Sequence, residues 1–492
     1  MRIVLRIIAL SLAVLTTMMF ASCGKQGGGS ANSSKQSTSK QSGSKAASSK
    51  AASESASQAD SSSETASKQV ISVEPFTMPA DGFGLQQVTY YNNRSAVQTA
   101  RREGNYVYIS GGNALKKYDY SDPLSPKLVK QVELFSASKK MNLNSMVING
   151  DYIYMGCRRY QANIPNPYTT NGLIIIVKKS DLSIVTSAKM TFPNGSTTEY
   201  GAEAGEGHVN WDANDVKVGT DIEEQQGTFK YSKGVCEVNF KVSHFLMYKN
   251  MLIVNMQMRG WCIFTIDEKD PTHLTLTDTY FWGEVPIVEH QGGDVYEHNG
   301  KIYYVAAGFG DGISFYDITD PTNIKQELRY NFWNASHFDS EAKGKVHTFS
   351  LTVDYPYVYA TLGPAASVVY NKPSADYDNR IMGVLTIDIA NLKKPKYNIS
   401  KIADADRCEF NETGDPQPTR IVRFGDYLLL NSSDKGVAVF KINDKANPTY
   451  MKTVKINDGK DIAALEKFSD DEVFIGEHSS PNKYYIYKVR TK

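Results

Sequence analysis

From about Gly84 onward, short apolar and aromatic runs alternate with tight polar turns, and the same order of runs returns seven times. One run is the easiest to follow: Tyr106-Val-Tyr-Ile-Ser110, Tyr152-Ile-Tyr-Met-Gly156, Met251-Leu-Ile-Val-Asn255, Ile302-Tyr-Tyr-Val-Ala306, Tyr357-Val-Tyr-Ala-Thr361, Tyr427-Leu-Leu-Leu-Asn431 and Glu472-Val-Phe-Ile-Gly476. A second run opens on glycine, as in Gly260-Trp-Cys-Ile-Phe-Thr-Ile-Asp267, Gly312-Ile-Ser-Phe-Tyr-Asp317 and Gly436-Val-Ala-Val-Phe440. Turns such as Ser121-Asp-Pro123, Lys269-Asp-Pro271 and Thr319-Asp-Pro321 follow it. Proline fixes φ and donates nothing to a ladder, so these turns belong between strands. No segment keeps a helical spacing. Four short strands per unit, seven units, and a base length near 40 residues predict an all-β fold. The expected architecture is a seven-bladed β-propeller of four-stranded antiparallel blades over residues 84–492.

The last unit lacks a fourth strand, because only three residues follow Lys483-Tyr-Tyr-Ile-Tyr-Lys-Val489. Leu85-Gln-Gln-Val-Thr-Tyr-Tyr91, in turn, precedes the first unit without a partner. Pairing 85–91 with 483–489 would close the ring and remove the unpaired edges of an open array.

The repeat resembles a named one. Gly-x-x-[Ile/Val]-x-Asp-[Ile/Val] followed by Asp-Pro, best seen in Gly312-Ile-Ser-Phe-Tyr-Asp-Ile-Thr-Asp-Pro321, is similar to the LVIVD repeat of bacterial and archaeal surface-associated proteins. The resemblance implies a propeller at the cell surface and supplies no catalytic residues.

Ahead of the repeats, Arg2 and Arg6 flank an apolar run that ends in Phe20-Ala21-Ser22-Cys23. Residues 1–22 therefore read as an export signal. Cys23 directly after Ala-Ser resembles the lipobox of bacterial lipoproteins, which implies lipidation there and a lipid-anchored protein of the bacterial cell envelope. Residues 23–70 read as that cysteine plus a tether. The stretch 24–68 holds 16 Ser and no aromatic or branched aliphatic residue, too little apolar surface to offset its chain entropy.

Charge narrows the partners. Removing the +2 of residues 1–22 and the +3 of 24–68 from the total of +1 leaves −4 on the rest, so no nucleic-acid footprint is expected. The expected partners are the membrane, through the anchor, and a glycan, peptide or protein ligand.

Insertions show where such a ligand would sit. In a propeller, first-to-second and third-to-fourth strand turns share one face, while second-to-third and blade-to-blade connections share the other. Long insertions at 157–171, 193–243, 331–346, 361–382 and 403–418 all read as belonging to the second face. Long loops crowded on one face favour function. They carry Arg158, Tyr160, Trp211, Arg259 and Tyr370, side chains suited to sugars or peptides.

An alternative reading uses His244, His290 and His347, near the innermost strand starts of three consecutive blades. Three imidazoles converging at the channel mouth could hold a divalent metal and support a hydrolase or lyase. Otherwise no cofactor and no catalytic residue is expected. Asp294 and Arg420 occupy comparable strand starts. Four cysteines of the body, Cys157, Cys236, Cys262 and Cys408, allow three pairings.

Overall fold

The computed structural model describes residues 76–93, 97–134, 141–159, 172–191, 197–199, 208–210, 217–219, 228–232, 235–238, 242–256, 260–282, 292–308, 312–332, 346–364, 381–406, 418–432, 435–456, 462–477 and 482–492. Seven antiparallel sheets form around the innermost strands Val97–Glu103, Met141–Asn149, Val242–Tyr248, Gly292–His298, Leu351–Asp354, Ile421–Phe424 and Ile462–Lys467. Each of these touches the next, and the seventh touches the first, so the ring is closed. The protein is a seven-bladed β-propeller. Among the described residues no helix is long and apolar enough to cross a membrane.

Closure follows the expected route. Phe83–Asn93 pairs antiparallel with Asn482–Thr491 as the fourth strand of blade 7, with Leu85 opposite Val489 and Tyr91 opposite Tyr484. The closing strand is also fastened sideways onto blade 6. Phe83 is fully buried with its ring 4.9 Å from that of Tyr427, and Lys452 pairs with Asp81 at 2.6 Å.

Alternating side chains of each strand face the two neighbouring blades, and the core is divided accordingly. Apolar clusters fill the wedges between blades 1 and 2, 2 and 3, 3 and 4, 4 and 5, 5 and 6, 6 and 7, and 7 and 1. Trp261 centres the wedge between blades 3 and 4, its ring 4.7 Å from Tyr304 and 4.9 Å from Tyr316. Tyrosine hydroxyls add ties across wedges: Tyr154 of blade 2 donates to the carbonyl of Pro271 in blade 3 at 2.6 Å, and Tyr359 of blade 5 to that of Lys445 in blade 6 at 2.9 Å.

Each part of the repeated motif has a structural cause. At Gly312 φ is +91°, and a Cβ would lie 2.0 Å from the carbonyl oxygen of Tyr330 on the fourth strand. Only glycine fits a backbone that close at that φ. The motif aspartates make successive turns: Asp317 Oδ1 accepts the Thr319 N–H at 3.0 Å, and Asp320 Oδ1 accepts that of Thr322 at 3.0 Å. Such side-chain caps steer the chain into the fourth strand.

Blade 2 departs from the expected connectivity. Its fourth strand begins with Ile184 bridged to Val177 and resumes only at Val235–Val238, which pairs with Gly172–Ile175. The insertion at 193–243 therefore interrupts a strand instead of joining two blades. Within the excursion, Lys189–Thr191 and Lys217–Gly219 both pair parallel to His273–Trp282, the outer strand of blade 3. One detour thus edges two blades.

Candidate functional site

In several blades the fifth residue of the second strand carries a polar side chain that ties neighbouring strands together. Ser110 Oγ donates to the Leu143 carbonyl of blade 2 at 2.6 Å, and Tyr304 Oη of blade 4 donates to Asn255 Oδ1 of blade 3 at 2.6 Å. Asn431 Oδ1 accepts the N–H groups of Thr419 and Arg420 at 2.8 and 2.7 Å, and its Nδ2 donates to the Ile462 carbonyl of blade 7 at 3.0 Å. Small polar side chains here hold the starts of the innermost strands and join blade to blade.

Opposite these positions lies a ring of first-strand residues at one level. Thr99, Ser145, His244, Gly293 and Ala464 pair with the fifth residues of their second strands. Ser350 and Arg420 take the same place in blades 5 and 6 through backbone bonds to Thr361 and Asn431. His244 and Arg420 are thus level with each other, three blades apart in a ring of seven. Two residues further along the same strand face sit Arg101 in blade 1 and Glu466 in blade 7, and these pair at 2.8 Å. Thr99 Oγ1 also donates to Glu466 at 3.3 Å.

These four side chains share one electrostatic environment. Burial pushes the His244 imidazole down to about 3, with the positive charges of Arg420 and Arg101 adding to the shift. The ring is therefore neutral at ordinary pH, and its Nδ1 is buried without a hydrogen-bond partner among the described residues. Burial also lowers the Arg420 guanidinium, opposed by Glu466 and reinforced by Arg101. Arg420 makes no ion pair among the described residues; its Nη1 donates to the Thr419 carbonyl at a long 3.4 Å. Asp294 differs, because its carboxylate is consumed in structure. Oδ2 accepts the Val353 N–H of blade 5 at 2.8 Å and Oδ1 its own neighbour's at 2.8 Å, while burial raises its pKa. Beside this wall opens a pocket of about 500 Å³, lined by Leu351–Val353 of blade 5, Ile421–Arg423 of blade 6 and Lys467 of blade 7.

Of the expected site residues, Cys23, Tyr160, Trp211, Arg259, His290 and Tyr370 lie outside the described residues. Arg158 is the last residue but one of Tyr152–Arg159, the second strand of blade 2, opposite Asn142 and Gly172. His347 is 3% exposed, opposite Gly363 in a two-residue strand, and burial pushes its imidazole down to about 3. Among the described residues no three His, Cys, Asp or Glu side chains gather as a metal site. A divalent cation at His244 would also meet the field of two guanidinium groups. Cys157 is a buried free thiol whose pKa burial raises, in the wedge between blades 1 and 2. Cys262 is buried in the wedge between blades 2 and 3, Cys236 lies on the short strand Val235–Val238, and Cys408 is outside the described residues. Sequence reasoning missed Arg101 and Glu466. The available signal was a charge in the middle of an innermost strand, where neighbouring units carry Val147 and Leu246.

No protein-family model matches the chain, and no curated protein sequence matches it. Among solved structures it is similar to Kuenenia stuttgartiensis hydrazine synthase, with a TM-score of 0.48 and 9% identity over 81% of this chain and 96% of that one. The WD40 β-propeller domain of Doa1 gives a TM-score of 0.45 and 9% identity over 82% and 97%. The computationally designed Ika8 protein gives 0.42 and 9% over 82% and 100%.

Proposed function

We propose that the protein is a surface-tethered lipoprotein of the bacterial envelope, an LVIVD-like propeller that binds a glycan, peptide or protein through one loop-rich face. The observation that carries this reading is the asymmetry of the connections. The turns at 104–105, 150–151, 249–250, 299–300, 355–356 and 425–426 are tight, and those at 120–126, 318–324 and 442–448 are short. The longer links 160–171, 283–291, 331–345, 365–382 and 402–420 join strand ends on the opposite side of the ring; the blade 2 excursion is the exception, since it leaves its strand after Ile184, opposite Val177 at the short-turn end. A closed, rigid body with variable loops at one end is how a scaffold presents a binding surface. The cysteine at position 23 and the Ser-rich stretch behind it support the tether.

The reading is tested by screening the full chain against immobilised glycans and peptides, then measuring alanine variants. Arg158→Ala, Tyr160→Ala, Arg259→Ala and Tyr370→Ala are expected to weaken binding, the central anchors by about 2 kcal/mol or more. Lys393→Ala, on an exposed turn of the other side, is expected to change it by no more than about 0.5 kcal/mol. Equal loss at Lys393→Ala, or no effect at any loop position, would overturn the assignment of the face.

A further inference from the structure

We propose that the central channel holds an oxyanion site, built by Arg420 of blade 6 and His244 of blade 3 beside the Arg101–Glu466 pair. This goes beyond the loop-face reading, since it concerns the wall of the channel and a small ligand.

The charge balance is the first argument. Arg101 has a carboxylate at 2.8 Å, and Arg420 has none within ion-pair distance among the described residues. Among the described residues, these two guanidinium groups and one carboxylate leave one positive charge in the wall. An enclosed charge without a counter-charge is costly, and a bound anion offsets that cost. Hydrogen-bond capacity is the second. A guanidinium offers five N–H groups in a fork that matches carboxylate or phosphate oxygens, and Arg420 uses one of them on its neighbour's carbonyl, at 3.4 Å. On the blade 3 side, a ring nitrogen of His244 without a partner among the described residues belongs to a neutral imidazole, which carries one N–H to donate.

Placement is the third. Arg420 and His244 are level by register, and the Asn431 amide fixes the backbone of Arg420 by accepting its N–H at 2.7 Å. Both residues are half-buried on the innermost strand or at its start. Glu466 guards the site against overcharge: it neutralises Arg101, and it lies close enough to Arg420 to act on its charge.

The test is calorimetric titration of the full-length chain with inorganic phosphate, sulfate, acetate and chloride at constant ionic strength. Saturable one-to-one binding of an oxyanion but not chloride is expected, and the ranking of phosphate against acetate identifies which oxyanion the site prefers. Arg420→Gln should weaken it by about tenfold or more, the scale of a lost charge-assisted hydrogen bond. Glu466→Gln should have the opposite sign and tighten it, because a second guanidinium loses its counter-charge. No saturable binding up to about 10 mM, or an equal response to chloride, overturns the proposal. So does unchanged affinity in a folded Arg420→Gln variant. If that variant does not fold, Glu466→Gln decides: tighter binding supports the site, and unchanged or weaker binding overturns it. Loss of the loop-face ligand at Arg158 or Tyr370 leaves this result unaffected, so the two readings fail separately.

Discussion

Two kinds of histidine environment were indistinguishable in the amino-acid order, and the fold separates them. His347 is 3% exposed in blade 5, whereas His244 is half-buried on the innermost strand of blade 3 and close enough to Arg420 to feel its charge. Both imidazoles are pushed from 6.5 down to about 3, by burial at His347 and by burial followed by the Arg420 and Arg101 charges at His244. The unfolded chain takes up these protons near pH 6.5 and the folded protein only near 3. Protons therefore favour the unfolded state throughout that window, and stability, complete above about 6.5, falls as the pH drops toward 3. Thermal melts between about pH 7 and 5, where carboxylates at their ordinary values hardly titrate, should show a falling midpoint, and His347→Gln should flatten the fall. An unchanged slope in that variant would show that His347 protonates freely in the folded protein. Motif residues were legible because one blade contains their whole environment: Gly312 meets Tyr330 of its own sheet, and Asp317 caps a turn two residues on. Arg101 and Glu466 were not legible, because the residues that face each other are 365 positions apart and only ring closure brings them together.

At the scale of elements, the same contrast separates the closing strand from the blade 2 detour. Phe83–Asn93 could be anticipated because a three-stranded last unit and a leading orphan strand have one economical solution. Its loss would leave the last blade open. Deleting residues 76–95 would bare Asn482–Thr491 along its full length and empty the place of Phe83 beside Tyr427. Size-exclusion chromatography should show aggregation, and melting should lose its single cooperative transition. A monomeric variant with wild-type melting would mean that blade 7 is stable with three strands. The detour was hidden for a physical reason. The fourth strand of blade 2 is split into one bridged residue, Ile184, and the four residues Val235–Val238. Neither piece is long enough to show an alternation of its own, and no Asp-Pro turn announces them. Parallel pairing of Lys189–Thr191 with the outer strand of blade 3 leaves still less trace, since it depends on a neighbour some 80 residues later.

Among the described residues, seven apolar wedges close in a circle, and the strand that closes it begins at Phe83. Cys23→Ala should therefore release the protein from membrane fractions while leaving the melting midpoint of the body unchanged; retention of the variant in membranes would remove the lipid anchor from consideration. The closing strand has a directional consequence as well. It starts at the side of the ring that carries the short turns: Gly82 donates to Pro79, its carbonyl accepts the N–H of Lys492 at 3.0 Å, and Phe76 packs against Gly84. Both ends of the propeller leave from that side, like two threads from the underside of a button. An attachment made through the leading thread would therefore join the disc at its short-turn side, with the longer links at the other end of the channel.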